Sequence, residues 1–266
     1  MLPLDSLPNR SSTSQQEDVT ALKTERSVRV DLLSHGPNPV VRKQYLNSGL
    51  RLLQTMGRRS RAAREFANLE AATSAGLPCT KPVGWAEDRR LGLVHSSTVV
   101  TQFVSDSRPL KAVLRELPAD AYRARRSITC EIGRLLAQLH TNGILWCTAM
   151  PRNFLLQGLP DTGRLVLCDL PSAVLFSGRV PPKATLVDLF DAIASPSRRR
   201  DFSKTDRLRC LRAYTDDNRA ATRKLWRLLN RITVRGHRSR KGFLRTIRAY
   251  MFPYRAVASQ KAAPNS

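Results

Sequence analysis

The stretch LHTNGILWCTAMPRNFLL, Leu139 to Leu156, followed by RLVLCDL, Arg164 to Leu170, constrains this chain more than any other part of it. Upstream, Ile128, Ile132, Leu135, Leu136 and Leu139 recur at helical spacing, so Tyr122 to His140 reads as an amphipathic helix running into the stretch. Asn142-Gly143 ends it, because glycine accepts the backbone angles of a helix stop. NFLLQG and RLVLCDL then read as a hairpin around LPDTG, Leu159 to Gly163. A helix, a tight turn, a loop and a hairpin that delivers Asp169 at its end therefore form one unit. Between Gly143 and Leu159 there is no Asp or Glu, so the loop itself carries no carboxylate.

The segments before that unit are β-rich. Ser27 to Leu33 alternates Val28, Val30 and Leu32 and predicts a strand; SHGPNP, Ser34 to Pro39, predicts a turn; Pro39 to Leu46 predicts the strand paired with the first. Ser60 to Gly76 predicts a helix with Ala63, Phe66, Ala67 and Leu69 on its apolar face and Gly76 as terminator. Two strands are expected next, around a turn at EDRR, Glu87 to Arg90. After Asp169 the chain is largely helical, and no internal repeat occurs. The Ser-, Gln- and Thr-rich residues 1–26 are expected to be a disordered tail.

The net charge is +24 over 266 residues, which predicts attraction to polyanions: anionic glycolipid, an anionic membrane surface or nucleic acid. From Arg198 to Arg255 there are 19 Lys and Arg against four Asp, an excess of 15. Ala221, Leu225, Leu228, Leu229 and Ile232 line one helical face there, with Arg223, Lys224, Arg227 and Arg231 around it. Phe243, Leu244, Ile247, Tyr250 and Met251 repeat the pattern. Such helices suit an anionic membrane; the same stripe is also what a helix packed on a core would show. Five scattered cysteines form no CxxC pair, and the four histidines are far apart, so neither a disulfide framework nor a zinc site is expected. No apolar run approaches the ~20 residues of a membrane span. The first residues lack a signal-peptide pattern, so the expected location is cytoplasmic, peripheral on the inner face of the membrane.

VVRKQY (Val40 to Tyr45), SRAAREF (Ser60 to Phe66) with GLPCTKPV (Gly76 to Val83), VVTQFV (Val99 to Val104), KATLVDLFDAI (Lys183 to Ile193) and SKTDRLRCLRAY (Ser203 to Tyr214) surround the central unit in that order. In order and spacing these segments resemble the lipopolysaccharide kinase family, whose members phosphorylate heptose or Kdo sugars of the lipid core, over roughly Val40 to Tyr214. The resemblance implies an α+β, protein-kinase-like, two-lobed fold. Its N-lobe, at 27–105, would be small and β-rich with one main helix. The larger helical C-lobe would span 106–255 with the basic helices at its end, and a disordered tail would follow at 256–266.

It also implies roles. Lys43 would neutralise the ATP phosphates, held by Glu65; Gln102 and Phe103 would lie at the hinge against the nucleotide; Asn153 and Asp169 would coordinate Mg2+. Arg42 competes with Lys43 for register, but alternation puts Lys43 on the face of Val41 and Tyr45. Glu65 could instead pair with Arg61 or Arg64 on a solvated face, Asn153 could be a turn residue, and Asp169 could cap the turn before Pro171. Asp188 is expected to brace the loop from a helix N-terminus, and His140 to be a hydrogen-bonded residue at a helix end.

Three positions depart from the family pattern. The H-x-D positions read Trp146, Cys147 and Thr148, so Thr148 stands where the base belongs and Trp146 fills the place of the His. The strands before Lys43 offer one glycine, Gly36, for a phosphate-covering loop. Three readings follow: an ATP- and Mg2+-dependent kinase of a lipopolysaccharide core sugar; a pseudokinase that binds glycolipid or protein; and a basic nucleic-acid-binding protein, for which no recognition motif is present.

Overall fold

The computed structural model describes residues 18–237 except 26, 35–37, 119, 196, 197, 199 and 200. Strands β1 (Asp18–Glu25), β2 (Val28–Ser34), β3 (Val40–Leu46), β4 (Pro82–Arg90) and β5 (Leu93–Gln102) form one antiparallel sheet, ordered β1-β2-β3-β5-β4. β3 is central: Lys43 pairs with Val30 on one side and Val99 on the other. The four-residue helix α1 (Leu50–Leu53) leads into α2 (Arg61–Ser74), whose start is fixed by the Ser60 hydroxyl accepting the Ala63 N–H at 3.1 Å. Ala62 of α2 is buried with Tyr45 and Val99, so the helix lies on the sheet face that carries the odd-numbered β3 side chains.

Two expectations need correction here. Residues 18–25 were expected in a disordered tail, yet they form β1, paired with β2 from Asp18↔Ser34 to Glu25↔Val28. This edge strand is exposed from Val19 to Glu25, so ladder hydrogen bonds rather than burial hold it, and composition does not register them. The EDRR segment was expected to turn, but it completes β4. The turn is Leu91-Gly92, with φ of 50° and 77°, the left-handed pair of a tight hairpin turn without the usual Asn or Asp.

Beyond β5, a short strand β6 (Ser107–Pro109) leads to helix α3 (Leu110–Glu116) and the long helix α4 (Tyr122–Thr141). β7 (Ile144–Leu145), β8 (Phe154–Gln157), β9 (Arg164–Leu167) and β10 (Val174–Leu175) make two small sheets, β6-β8-β9 and β10-β7. Helix α5 (Pro182–Leu189) continues into a π-helical turn at Phe190–Ala194, and α6 (Lys204–Tyr214) and α7 (Arg219–His237) follow. Ser203 and Asp206 close a reciprocal capping box at the start of α6.

The apolar stripe read from Ile128 to Leu139 is buried in one core with Trp146, Phe154, Phe190, Phe202 and Leu211. Gly133 lets α4 and α6 touch backbone to backbone, since a Cβ there would lie 2.3 Å from the Cys210 carbonyl oxygen. The apolar face of α7 is also spent on this core. Leu229 is buried and Leu225, Leu228 and Ile232 pack against it, while Arg223, Lys224, Arg227 and Arg231 are exposed. The continuation read at Phe243, Leu244, Ile247, Tyr250 and Met251 lies outside the described residues.

Backbone bonds tie the sheet lobe to the helical lobe: Thr80 N–H donates to the Leu167 carbonyl at 2.9 Å and Leu167 N–H to Pro78 at 2.8 Å. Asn68 of α2 donates from Nδ2 to the Leu170 carbonyl at 2.8 Å, just past Asp169.

Candidate active site

Strand β3, helix α2 and the end of the β8–β9 hairpin bring three remote side chains together. Lys43 Nζ donates to Glu65 Oε1 at 3.1 Å and also bonds Asp169 Oδ1. The Tyr45 hydroxyl donates to the other Glu65 oxygen. Glu65 is 3% exposed, so it is not a solvated helix charge, and the alternative pairing with Arg61 does not occur. Arg61 instead lies over the Tyr45 ring, 4.3 Å from its centroid. Arg42, the register rival, projects from the opposite sheet face and pairs with the buried Asp31 at 3.0 Å.

Burial pulls the Lys43 ammonium down, but the Glu65 carboxylate, with Asp169 beside it, outweighs burial and leaves the group raised. Burial pushes the Glu65 carboxyl up against the opposing charge of Lys43. The lysine is thus charged and held at a fixed point.

The loop after α4 is held from below by Asp188. Its Oδ2 accepts the Trp146 N–H at 2.7 Å and lies 3.0 Å from His140 Nε2, while Oδ1 accepts the Cys147 N–H at 2.7 Å. His140 Nδ1 meets the Tyr214 hydroxyl at 2.9 Å, so one buried chain of polar groups links α4, the loop, α5 and α6. Asp188 sits in the last turn of α5, not at a helix N-terminus as expected.

Trp146 is fully buried, stacked edge-on against Phe154 at 4.8 Å. Its indole N–H donates to the Asp169 backbone carbonyl at 3.0 Å. Sequence reasoning saw only the filled cavity; a tryptophan carries a donor as well. Asp169 itself has φ of 65°, and Cys147 has 64°. Both are non-glycine residues in the left-handed region, a strain found where surrounding contacts over-determine the backbone.

At the base position, the Thr148 hydroxyl oxygen is buried and without a hydrogen-bond partner among the described residues. The Thr148 carbonyl accepts from Asn153 Nδ2 at 2.8 Å. That bond uses the amide nitrogen of Asn153 and leaves Oδ1, the atom a hard cation takes. Asn153 also holds the hairpin's end, because its carbonyl accepts the Cys168 N–H at 3.0 Å. Among the described residues no cluster of three or more His, Cys, Asp or Glu could hold a metal. Asn153 and Asp169 offer two oxygens that would suit a hard cation such as Mg2+.

Gln102, expected at the hinge with Phe103, ends β5, and Phe103 follows it. The Gln102 N–H donates to Lys81 and the Phe103 N–H to Pro39, at 2.9 and 3.0 Å, so these two amides are committed to the lobe. The β1–β2 connection reads Glu25, Arg26 and Ser27 and carries no glycine. Gly36, noted as the one glycine available, lies outside the described residues. Lys23, bonded to Glu25, lowers the Glu25 carboxyl, and Arg152 of the loop adds to this. Arg152 also acts on Asp191, whose carboxyl is pushed up to about 7 by burial and the charge of Asp188, against Arg198 and Arg152. Asp191 is the site-proximal carboxyl that sequence reasoning missed; its lone position in DLFDAI carried no signal.

The profile of the lipopolysaccharide kinase (Kdo/WaaP) family matches residues 38–214. Among curated proteins none matches. Among solved structures, WaaP in complex with acyl carrier protein is similar at 17% identity, covering 81% of this chain and 89% of that one with a TM-score of 0.57. That likeness shows the fold, a kinase-like pairing of a small sheet lobe with a helical lobe. With two thirds of its length matched, the chain belongs to the lipopolysaccharide kinase (Kdo/WaaP) family.

Proposed function

We propose that the protein binds ATP with Mg2+ between its lobes and transfers the terminal phosphoryl group to a hydroxyl of a lipopolysaccharide core sugar, heptose or Kdo. The observation that carries this reading is the convergence of Lys43, Glu65 and Asp169. A partly buried lysine fixed by one carboxylate and facing a second, half-exposed one has the charge to receive a polyphosphate and the oxygen to hold its metal.

Lys43 would exchange Asp169 for phosphate oxygens and keep Glu65. Asp169 and Asn153 would then be free to hold Mg2+, which supplies charge neutralisation at the phosphates. The loop gives little help with the acceptor proton, since a threonine hydroxyl is no base near neutral pH. Transfer through a loose transition state depends mainly on positioning and charge, so it survives this loss at a rate lower by about 10²–10⁴. The exposed basic face of α7 (Arg223, Lys224, Arg227 and Arg231) supports a peripheral place at an anionic membrane, where such an acceptor resides. Among the described residues no helix is long and apolar enough to cross a membrane.

The Thr148 hydroxyl, without a partner among the described residues, and the glycine-free β1–β2 connection favour a second reading, a pseudokinase that keeps the scaffold for binding. Purified protein with labelled ATP, Mg2+ and deacylated core oligosaccharide separates the two. Transfer that disappears in Asp169→Ala supports the kinase. No transfer, with a nucleotide-dependent thermal shift retained, supports the pseudokinase; no shift at millimolar ATP removes nucleotide binding from either.

A further inference from the structure

Membrane attachment by charge alone is weak and salt-sensitive, and durable attachment needs an apolar contribution. Helix α7 cannot provide one from its described part, since its leucines pack on the core. The connection between β3 and α2 can. Leu50, Leu53 and Met56 are 78%, 58% and 61% exposed, and Leu91 in the β4–β5 turn is 97% exposed. These residues belong to one surface. Arg89 donates to the Arg58 carbonyl and to the Gly92 carbonyl, each at 2.9 Å, and Val94 N–H donates to Thr55 Oγ1 at 2.9 Å. The β4–β5 turn is thereby laced to the α1–α2 connection.

The same segment carries Arg51, Arg58 and Arg59, all exposed and with no ion pair among the described residues. Single exposed leucines are ordinary on a protein surface; four large apolar side chains grouped beside three uncompensated guanidinium groups are not. Apolar side chains that reach the acyl boundary, with cations at headgroup level, are the composition of an interfacial anchor.

We propose that the patch formed by Leu50, Leu53, Met56 and Leu91 with Arg51, Arg58 and Arg59 inserts into the surface of an anionic lipid bilayer. Phosphate headgroups meet the arginines, and the four apolar side chains enter beneath them. The inference deepens the peripheral placement proposed above by naming the inserting element, on the sheet lobe rather than on α7.

The test is co-sedimentation of the full chain with phosphatidylcholine vesicles, with and without phosphatidylglycerol. Leu50→Ser/Leu53→Ser/Met56→Ser should lower the affinity for anionic vesicles by about tenfold or more and abolish the part of binding that survives high salt. Its thermal unfolding should match the wild type, because these side chains are exposed. Arg51→Gln/Arg58→Gln/Arg59→Gln should weaken binding to the phosphatidylglycerol vesicles only. Asp169→Ala should bind vesicles as the wild type does, so a failed kinase reading leaves this result intact. The proposal is overturned if the Leu/Met variant binds like the wild type. It is equally overturned if that variant splits a dimer in sedimentation while vesicle binding is unchanged, for then a second copy of the chain covers the patch.

Discussion

Trp146 donates its indole N–H to the backbone carbonyl of Asp169 across 3.0 Å, and its own backbone N–H is held by Asp188 at 2.7 Å. One buried ring thus couples the brace under the loop to the backbone that carries the Asp169 carboxylate. The residue that departs most in size from the family's histidine retains a donor at the place where a donor is needed. Replacing Trp146 by Phe should cost about 1–3 kcal/mol, the penalty for a buried carbonyl left unpaired, and Trp146→Ala about 3–5 kcal/mol. Urea midpoints measure both; equal, small losses would show that the indole N–H contributes nothing.

The carboxylate missing from the loop can be restored. Thr148→Asp should raise phosphoryl transfer by up to about 10²–10⁴, the contribution of a positioned base. Turnover under saturating ATP checks it. No gain with nucleotide still bound would show that the pocket no longer places an acceptor hydroxyl there. Thr148→Val, by contrast, should be neutral or stabilising by a few tenths to about 1 kcal/mol, because it removes a buried hydroxyl that has no partner among the described residues.

Lys43 serves stability as well as the site. Lys43→Met leaves Glu65 buried without its cation, which should cost about 3–5 kcal/mol. The double variant Lys43→Met/Glu65→Gln should recover most of that loss, since no charge is then stranded. Denaturant unfolding of the two variants decides it; an additive double variant would mean the pair is not coupled.

Asp191 makes stability depend on pH. Burial pushes its folded-state pKa up to about 7, above the ~3.9 of an unfolded aspartate. The folded protein therefore binds more protons between those values, and stability falls as pH rises through that window. Below about pH 4 the carboxyl is protonated in both states and costs nothing. Asp191→Asn should match the wild type at pH 4 and be more stable at pH 8, with the gap opening between. A constant difference across pH would assign the effect to packing instead.

Local signals were legible where one element decides its own structure. The α4 stripe from Ile128 to Leu139, the helix from Ser60 and the hairpin ending at Asp169 all stand where the sequence pattern put them. Elements held by a neighbour were not. β1 depends on ladder bonds to β2, and the Leu91-Gly92 turn depends on the register of β4 against β5. Asp188 was expected to brace the loop from a helix N-terminus; it meets the loop amides of Trp146 and Cys147 from the last turn of α5 instead, a placement that depends on where α5 packs.

From residue order alone come the two-lobed plan, the basic balance and the absent loop carboxylate, because periodicity, charge and residue identity are properties of the chain itself. Only the fold decided that Lys43 also meets Asp169, that the leucines of α7 are spent inside, and that Leu50, Leu53, Met56 and Leu91 stand exposed. Which groups touch across 20 to 130 positions depends on how sheets and helices stack, and stacking leaves no mark in the short-range pattern of the sequence.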